Sequence, residues 1–373
     1  MLRCTAENPA DPSLAMETEL AIYRQDGGTC HVLLEDGRPA ELLAGSSGSD
    51  ESAGDFRMPL HRLDILLGQV RQSVPALAGA FVNIGMDHDA FLPIADASSG
   101  LKAGQSLLVQ IRRLNNPGKG HQVTTQIQLP GPFAVFNPQG AAKRRSKLRQ
   151  FAADRQEDLF LQDLARLDML WNQIVQDSGK GPVPRLLFAA GDPLYQALTS
   201  FVSADLRRIR VEGEELFRQV YDLVQKIMPP YLPLLSLYVP AQGYGLAAAL
   251  GLGDLPESLA NRKVWLPGGG YLVIDRTEAM TVIDVNSGKD LQGRDNHALR
   301  QRINNQAATE IARQLRLRNI GGIILIDFLD LAGDESRQEL LSVLETALAR
   351  DKARHRLVGF TGLGLMEMTR TAR

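Results

Sequence analysis

The chain has 373 residues, of which 44% are hydrophobic, enough to bury substantial cores. Its 41 Lys or Arg against 43 Asp or Glu leave a formal net charge of −2, which excludes a whole-protein basic footprint, so any nucleic-acid site must be a local patch. The two cysteines, Cys4 and Cys30, form neither a CxxC pair nor a metal-ligand spacing, which argues against a structural zinc site and suits a reducing cytosol.

No signal pattern opens the chain, and no apolar run approaches the ~20 residues that span a bilayer. Residues 1–17 are polar and proline-containing and read as a loose tail. Glu19 to Arg24 and Cys30 to Leu34 predict two strands around the turn Asp26-Gly27-Gly28. Gly45 to Gly54 is a small-residue, acidic linker. Short strand patterns then recur at Ile65–Val70, Ala80–Ile84, Ala90–Ile94, Ser106–Ile111 and Gln122–Leu129, which suggests a small β-barrel over residues 57–130.

Inside that unit Phe81 and Phe91 admit two readings. They are core residues, the usual fate of phenylalanine, or platforms on which unpaired bases stack. Arg112, Arg113 and Lys119 are the cations that would follow a strand's backbone. Gly131 to Gln150 follows with Lys143, Arg144, Arg145, Lys147 and Arg149 and no acid. It is either a phosphate-binding patch or the solvated start of a helix. Apolar spacing predicts that helix from about Lys147 to Val175.

Residues 183–265 alternate strand and helix: a strand over Pro184–Ala189, a helix over Pro193–Val202, a strand near Arg208–Val211, a helix over Glu214–Ile227 and a strand near Leu235–Val239. Gly243 to Ser258 fits either a helix or a loop.

The most informative stretch runs from Gly268 to Leu331. Two apolar strands each end in an aspartate, Asp284 and Asp327. Between them Ile303, Ala307, Ile311 and Leu315 recur every four residues, one face of a helix. Strand, helix, strand predicts a parallel pair with both carboxylates at the ligand-binding ends of the strands. Adjacent strands lie about 5 Å apart, so the two can share one hard cation; Mg²⁺ commonly takes one or two carboxylates. Asn286, two residues past Asp284, shares its face. Asp330 contributes only if its strand has ended. The competing reading is that aspartates at strand ends are turn residues. Beyond this stretch, Ser336 and Glu339 have capping-box spacing, and Arg354 to Phe360 predicts a last strand.

The segments GGYLVIDRTEAMTVIDVNSGK, ATEIARQLRLRNIGGIILIDFLDL and DKARHRLVGFTGLGLMEMTR closely resemble the catalytic core of the RNase E/G endoribonucleases. LGQV, GAFVNIG, AFLP and LKAGQSLLVQI resemble an S1-type OB-fold domain. The resemblance covers the chain from about residue 18 to 373. It implies an α/β fold of several subdomains: an RNase H-like part over residues 18–56 and 183–265, an S1-type barrel over 57–130, a shortened 5′-sensor region over 131–182, and a DNase I-like catalytic part over 266–373. It implies an Mg²⁺-dependent endoribonuclease in RNA processing or decay, with Asp284 and Asp327 as metal ligands beside Asn286. It also implies RNA contacts at Phe81, Phe91 and Lys119, and a 5′-end pocket at Gly131, Val135, Arg144 and Arg354.

Two family features are missing from the sequence. The CPxC zinc link that joins protomers has no counterpart, so no zinc-linked oligomer is expected, and other homo-oligomers stay open. The Arg-Thr pair that grips a 5′-monophosphate has no counterpart between Arg149 and Trp171, so weakened 5′-end sensing is expected. The rivals are a non-catalytic RNA-binding protein on a nuclease scaffold, and a deoxyribonuclease or small-molecule phosphoesterase.

Overall fold

The computed structural model describes residues 17–45, 60–93, 95, 100–115, 119–139, 146–148 as backbone, 157–203, 205–240, 243–288, 297–331 and 333–372. The acidic linker and the cations Lys143, Arg144, Arg145 and Arg149 lie outside them, as does the side chain of Lys147. The fold is mixed α/β and divides into two compact units. One comprises residues 1–31 and 43–240, the other 32–42 and 241–373.

In the first unit β1 (Thr18–Gln25) turns through Asp26 and Gly27, both at positive φ, into β2 (Gly28–Glu35). A third strand, β3 (Arg38–Gly45), was not expected; its first five residues, with the end of β2, belong to the second unit. The barrel strands are β4 (Ile65–Val74), β5 (Gly79–Asn83), β6 (Ala90–Pro93), β7 (Ser106–Arg113) and β8 (Gln122–Thr124). They run in the order β4-β5-β6-β8-β7, and β7 pairs back onto β4. The result is a closed five-strand barrel, consistent with an OB-like fold. Its interior is Leu66, Val82, Ile84, Ala90, Leu92, Val109, Ile111 and Val123.

After the barrel, β9 (Leu129–Pro130), β10 (Ala134–Phe136) and β11 (Ser146–Leu148) make a small antiparallel sheet. This corrects the helix expected from Lys147. Leu148 pairs with Ala134 across the sheet, and the helix, α1, spans Glu157–Ser178. Strand β12 (Arg185–Phe188) joins the barrel sheet on β4. Then α2 (Pro193–Phe201), β13 (Leu206–Glu212), α3 (Glu214–Ile227) and β14 (Leu235–Tyr238) complete a parallel run β14-β13-β1. Asp192 caps α2 by accepting from the N–H groups of Leu194 and Tyr195 at 2.9 and 3.0 Å.

The second unit opens with two short helices, α4 (Leu246–Ala249) and α5 (Leu255–Ala260), in the stretch that fitted helix or loop. Its six-stranded sheet has β15 (Lys263–Trp265), β16 (Tyr271–Arg276), β17 (Met280–Asn286), β18 (Gly322–Asp327), β19 (His355–Phe360) and β20 (Met366–Arg370). The order is β15-β16-β17-β18-β20-β19. Strand β20 had not been foreseen; it lies between β18 and β19 and pairs antiparallel with both.

Helices α6 (His297–Leu317) and α7 (Asp334–Leu348) share the core with one face of this sheet. Ile303, Ala307, Ile311 and Leu315 are all fully buried there. The capping-box reading of Ser336 is overturned. Gly333, at φ 84°, is the N-cap of α7, so Ser336 sits inside the helix, with its hydroxyl 3.2 Å from His297 Nε2. Among the described residues, no helix is long and apolar enough to cross a membrane.

Candidate active site

Strands β17 (MTVIDVN) and β18 (GIILID) alternate in burial. Thr281, Ile283 and Val285, with Ile324 and Ile326, point into the core, while Asp284 and Asp327 stand exposed on the other face. The two strands are parallel, and Asp284 is directly opposite Asp327. Both carboxylates therefore sit at carboxyl ends of neighbouring strands, about 5 Å apart in strand axis. Asn286 donates from Nδ2 to Asp284 Oδ2 at 2.7 Å and so fixes the carboxylate's rotation.

Burial, the Asp284 charge and the Asp330 charge, in that order, raise the Asp327 carboxyl above its ordinary range. The last two causes are the repulsion expected when like charges converge. The strand ends at Asp327, so Asp330 is free of its alternation and its charge reaches the pair.

Three features that the sequence reading passed over hold this geometry. Gly270 approaches the Asn286 carbonyl so closely that a Cβ would come within 2.7 Å of it. Gly288, at φ 69°, meets the Gly269 carbonyl in the same way at 2.5 Å. Only glycine permits either approach. Behind β18, the fully buried Asn304 of α6 donates to the Leu329 carbonyl at 2.8 Å and accepts from the Leu329 N–H at 3.0 Å. This pair of hydrogen bonds from one side chain to the backbone of one residue anchors the Asp327–Asp330 turn. A glycine triplet before a strand was a visible signal; an asparagine in an apolar helix face was not.

The donor set suits a hard divalent cation. It consists of carboxylate oxygens with an amide beside them, and among the described residues no group of three or more His, Cys, Asp or Glu forms a larger cage.

In the barrel, Phe81 and Phe91 are opposite each other on β5 and β6, outside the apolar interior. Their rings meet edge to face, with centroids 5.8 Å apart. Gly79 makes room for Phe91, since a Cβ there would lie 2.4 Å from the ring. Phe91 is also level with Gln122, and Gln122 with Arg113. One row across the barrel thus carries Arg113, Gln122, Phe91 and Phe81. Arg112 is exposed too, but the register places its neighbour Arg113 in that row. Lys119 is exposed in the loop that leads to His121, whose carbonyl accepts from the Phe91 N–H at 2.8 Å.

Gly131 is buried in a tight turn, its N–H donating to the Ala134 carbonyl. A Cβ on it would strike the Asp163 carboxylate at 2.4 Å. Asp163 accepts from the N–H groups of Phe133 and Ala134 at 2.9 and 2.8 Å, so the turn is held by a buried carboxylate. Val135 is half-buried on β10. Arg354 is exposed just before β19, in the second unit. Arg144 lies outside the described residues.

The family model for the Ribonuclease E/G family matches residues 144–373. The chain belongs to the Ribonuclease E/G family. It is 30% identical to Ribonuclease G of Haemophilus influenzae over 357 residues, covering 82% of this chain and 72% of that protein. Ribonuclease G of Escherichia coli K12 is 31% identical over 356 residues with the same coverage. Ribonuclease E of Synechocystis is 30% identical over 349 residues, spanning 82% of this chain and 52% of that protein. The family match includes the whole aspartate-bearing sheet.

Proposed function

We propose that this protein is an Mg²⁺-dependent endoribonuclease that hydrolyses single-stranded RNA in the cytoplasm, in RNA processing or decay. The observation that carries the reading is the in-register pair Asp284 and Asp327, with Asn286 bonded to the first. Asp284 and Asp327 would hold the metal. Bound there, Mg²⁺ supplies positive charge against the attacked phosphate and lowers the pKa of a ligated water. Asn286 keeps the Asp284 carboxylate in one rotamer, and Asn304 keeps the turn after Asp327 in place.

In this reading the sheet of the second unit is the DNase I-like catalytic part, and the parallel run β14-β13-β1 belongs to the RNase H-like part. The barrel is the S1-type clamp. Phe81 and Phe91 stack bases, and Arg113, Arg112 and Lys119 neutralise phosphates. A demand for unpaired RNA follows, because base faces are open to stacking only when splayed out. Discrimination of a 5′-monophosphate is weak. Without a bidentate arginine contact, general positive charge attracts internal and terminal phosphates alike.

The test is cleavage of labelled, unstructured RNA and DNA oligonucleotides of one sequence, with Mg²⁺ and with EDTA. Cleavage of RNA alone, and only with Mg²⁺, is expected. Binding without cleavage would favour a non-catalytic RNA-binding protein, and equal cleavage of DNA would overturn the ribonuclease reading.

A further inference from the structure

The exposed face of the catalytic sheet carries more than carboxylates. Trp265 on the edge strand β15 is 64% exposed although it is the largest side-chain type in the chain. Its ring meets Tyr271 of β16 edge to face, with centroids 5.3 Å apart. The Lys263 ammonium lies 3.9 Å from the Trp265 centroid and 3.6 Å from that of Tyr271. This is a cation held over two rings, each contact within cation–π range.

The register ties this cluster to the active site. Trp265 is opposite Tyr271, and Tyr271 is opposite Asn286. Lys263 is opposite Val273, Val273 opposite Asp284, and Asp284 opposite Asp327. Residues directly opposite on neighbouring strands share a face. The aromatic pair and the lysine therefore stand on the same face as the aspartates; Trp265 and Lys263 are two strands, or about 10 Å, from the strand of Asp284, and Tyr271 is one strand from it.

An exposed tryptophan on an edge strand usually invites another chain. Two things here favour a nucleic-acid strand instead. The lysine covers the rings with positive charge, and the row points along the sheet at the carboxylates. The geometry points to Trp265, Tyr271 and Lys263 as a second nucleotide subsite, in which an unpaired base stacks on the open face of Trp265 and Lys263 meets the adjoining phosphate. Resting on the ribonuclease reading above, this subsite fixes the RNA on one side of the scissile bond within the catalytic sheet itself, independently of the barrel. Stacking would tolerate any base, since every base has a π face.

The chain has two tryptophans, Trp171 and Trp265, so Trp171→Phe leaves Trp265 as the sole reporter. With EDTA present to prevent cleavage, an unstructured oligoribonucleotide should quench Trp265 emission in step with binding read by anisotropy of a labelled RNA. Trp265→Ala and Tyr271→Ala should each raise KM by roughly tenfold, as expected for loss of one stacked base, with kcat within about twofold of wild type. Trp265→Phe should restore most of the KM. Circular dichroism and melting confirm that each variant is folded.

Saturating RNA binding with no change in Trp265 emission, together with a wild-type KM for Trp265→Ala, would overturn the subsite. So would a Trp265→Ala variant whose only change is a smaller mass by light scattering, which would make the edge a protein contact. If Trp265 is quenched but wild type cuts nothing with Mg²⁺, the subsite stands and the nuclease reading fails.

Discussion

The outer row of the barrel and the open face of the aspartate-bearing sheet solve opposite problems. The barrel row places two aromatic rings and a cation in line across neighbouring strands, with the apolar interior beneath. In the proposed function it supplies affinity, and no member must be held to a fraction of an ångström. The aspartate-bearing face brings two like charges together across one parallel pair, and burial first, then the charges of Asp284 and Asp330, raise the Asp327 carboxyl. It needs Asn286, Asn304 and two close-packed glycines to stay there. Stacking tolerates loose positioning, whereas convergent carboxylates do not. Substitutions at the two carboxylates and at the groups that position them should therefore act on kcat, and those in the aromatic rows on KM.

The largest expected effect is at the carboxylates. Asp284→Asn or Asp327→Asn should lower kcat by at least ~100-fold, the scale of losing one electrostatic stabiliser, and leave RNA affinity nearly intact. Single-turnover rates beside filter-binding affinities measure both; a near-normal rate in either variant sinks the assignment.

Asn304→Ala should come next. It leaves both polar groups of Leu329 without their side-chain partner, at about 2 kcal/mol of stability, and frees the turn, with roughly a tenfold to hundredfold loss of kcat. Unchanged kcat in a destabilised protein would make Asn304 purely structural. Phe81→Ala and Phe91→Ala should each raise KM about tenfold with little change in kcat. A kcat effect there would erase the contrast between the two regions.

Their buried charges sharpen the same comparison. The second unit pairs Arg370 with Asp351, both fully buried, through two contacts at 2.5 and 3.1 Å. The first unit instead buries His31, whose Nδ1 lies 3.0 Å from the Leu43 carbonyl and whose Nε2 has no hydrogen-bond partner among the described residues. Burial pushes His31 down to about 4, against smaller upward pulls from Leu43 and Asp192.

The folded state thus binds its proton more weakly than the unfolded chain. The stabilisation is complete above the unfolded value near 6.5 and is lost as pH falls toward 4, on the order of 3 kcal/mol in all. Urea midpoints at several pH values should show wild type losing more stability over that window than His31→Gln. Parallel curves would contradict it.

The smallest expected effect is at the RNA 5′ end. A 5′-monophosphate should speed cleavage about threefold or less over a 5′-hydroxyl, roughly 0.7 kcal/mol. Matched oligoribonucleotides compared by kcat/KM test this, and a tenfold preference would mean that a phosphate pocket is rebuilt by another route.

What the sequence disclosed and what it hid follow from one distinction. Asp284 and Asp327 were legible because a period of two, a helix of period four and a second run of period two are local patterns, and together they dictate the parallel pair. Asn304 was not, because a polar side chain in an apolar stripe looks like a flaw until its partner, Leu329, is known. Leu148 fits the helix stripe, yet it pairs with Ala134 of β10, a contact invisible to periodicity. Strand β20 needed both neighbours, β18 and β19, to be recognised. The row from Trp265 to Asn286 exists only through strand register. Spacing within one segment was readable, and pairing between distant segments was not.

Whether the in-register aspartates hold a catalytic metal can be read with Mn²⁺ as a spectroscopic substitute for Mg²⁺. Electron paramagnetic resonance would follow Mn²⁺ titrated into wild type and Asp327→Asn, with RNA affinity measured in EDTA on the same preparations. The expected result is a bound-Mn²⁺ signal in wild type that is lost or greatly weakened in the variant, along with cleavage, while RNA affinity is retained. Equal Mn²⁺ binding and equal cleavage in the two proteins would contradict it.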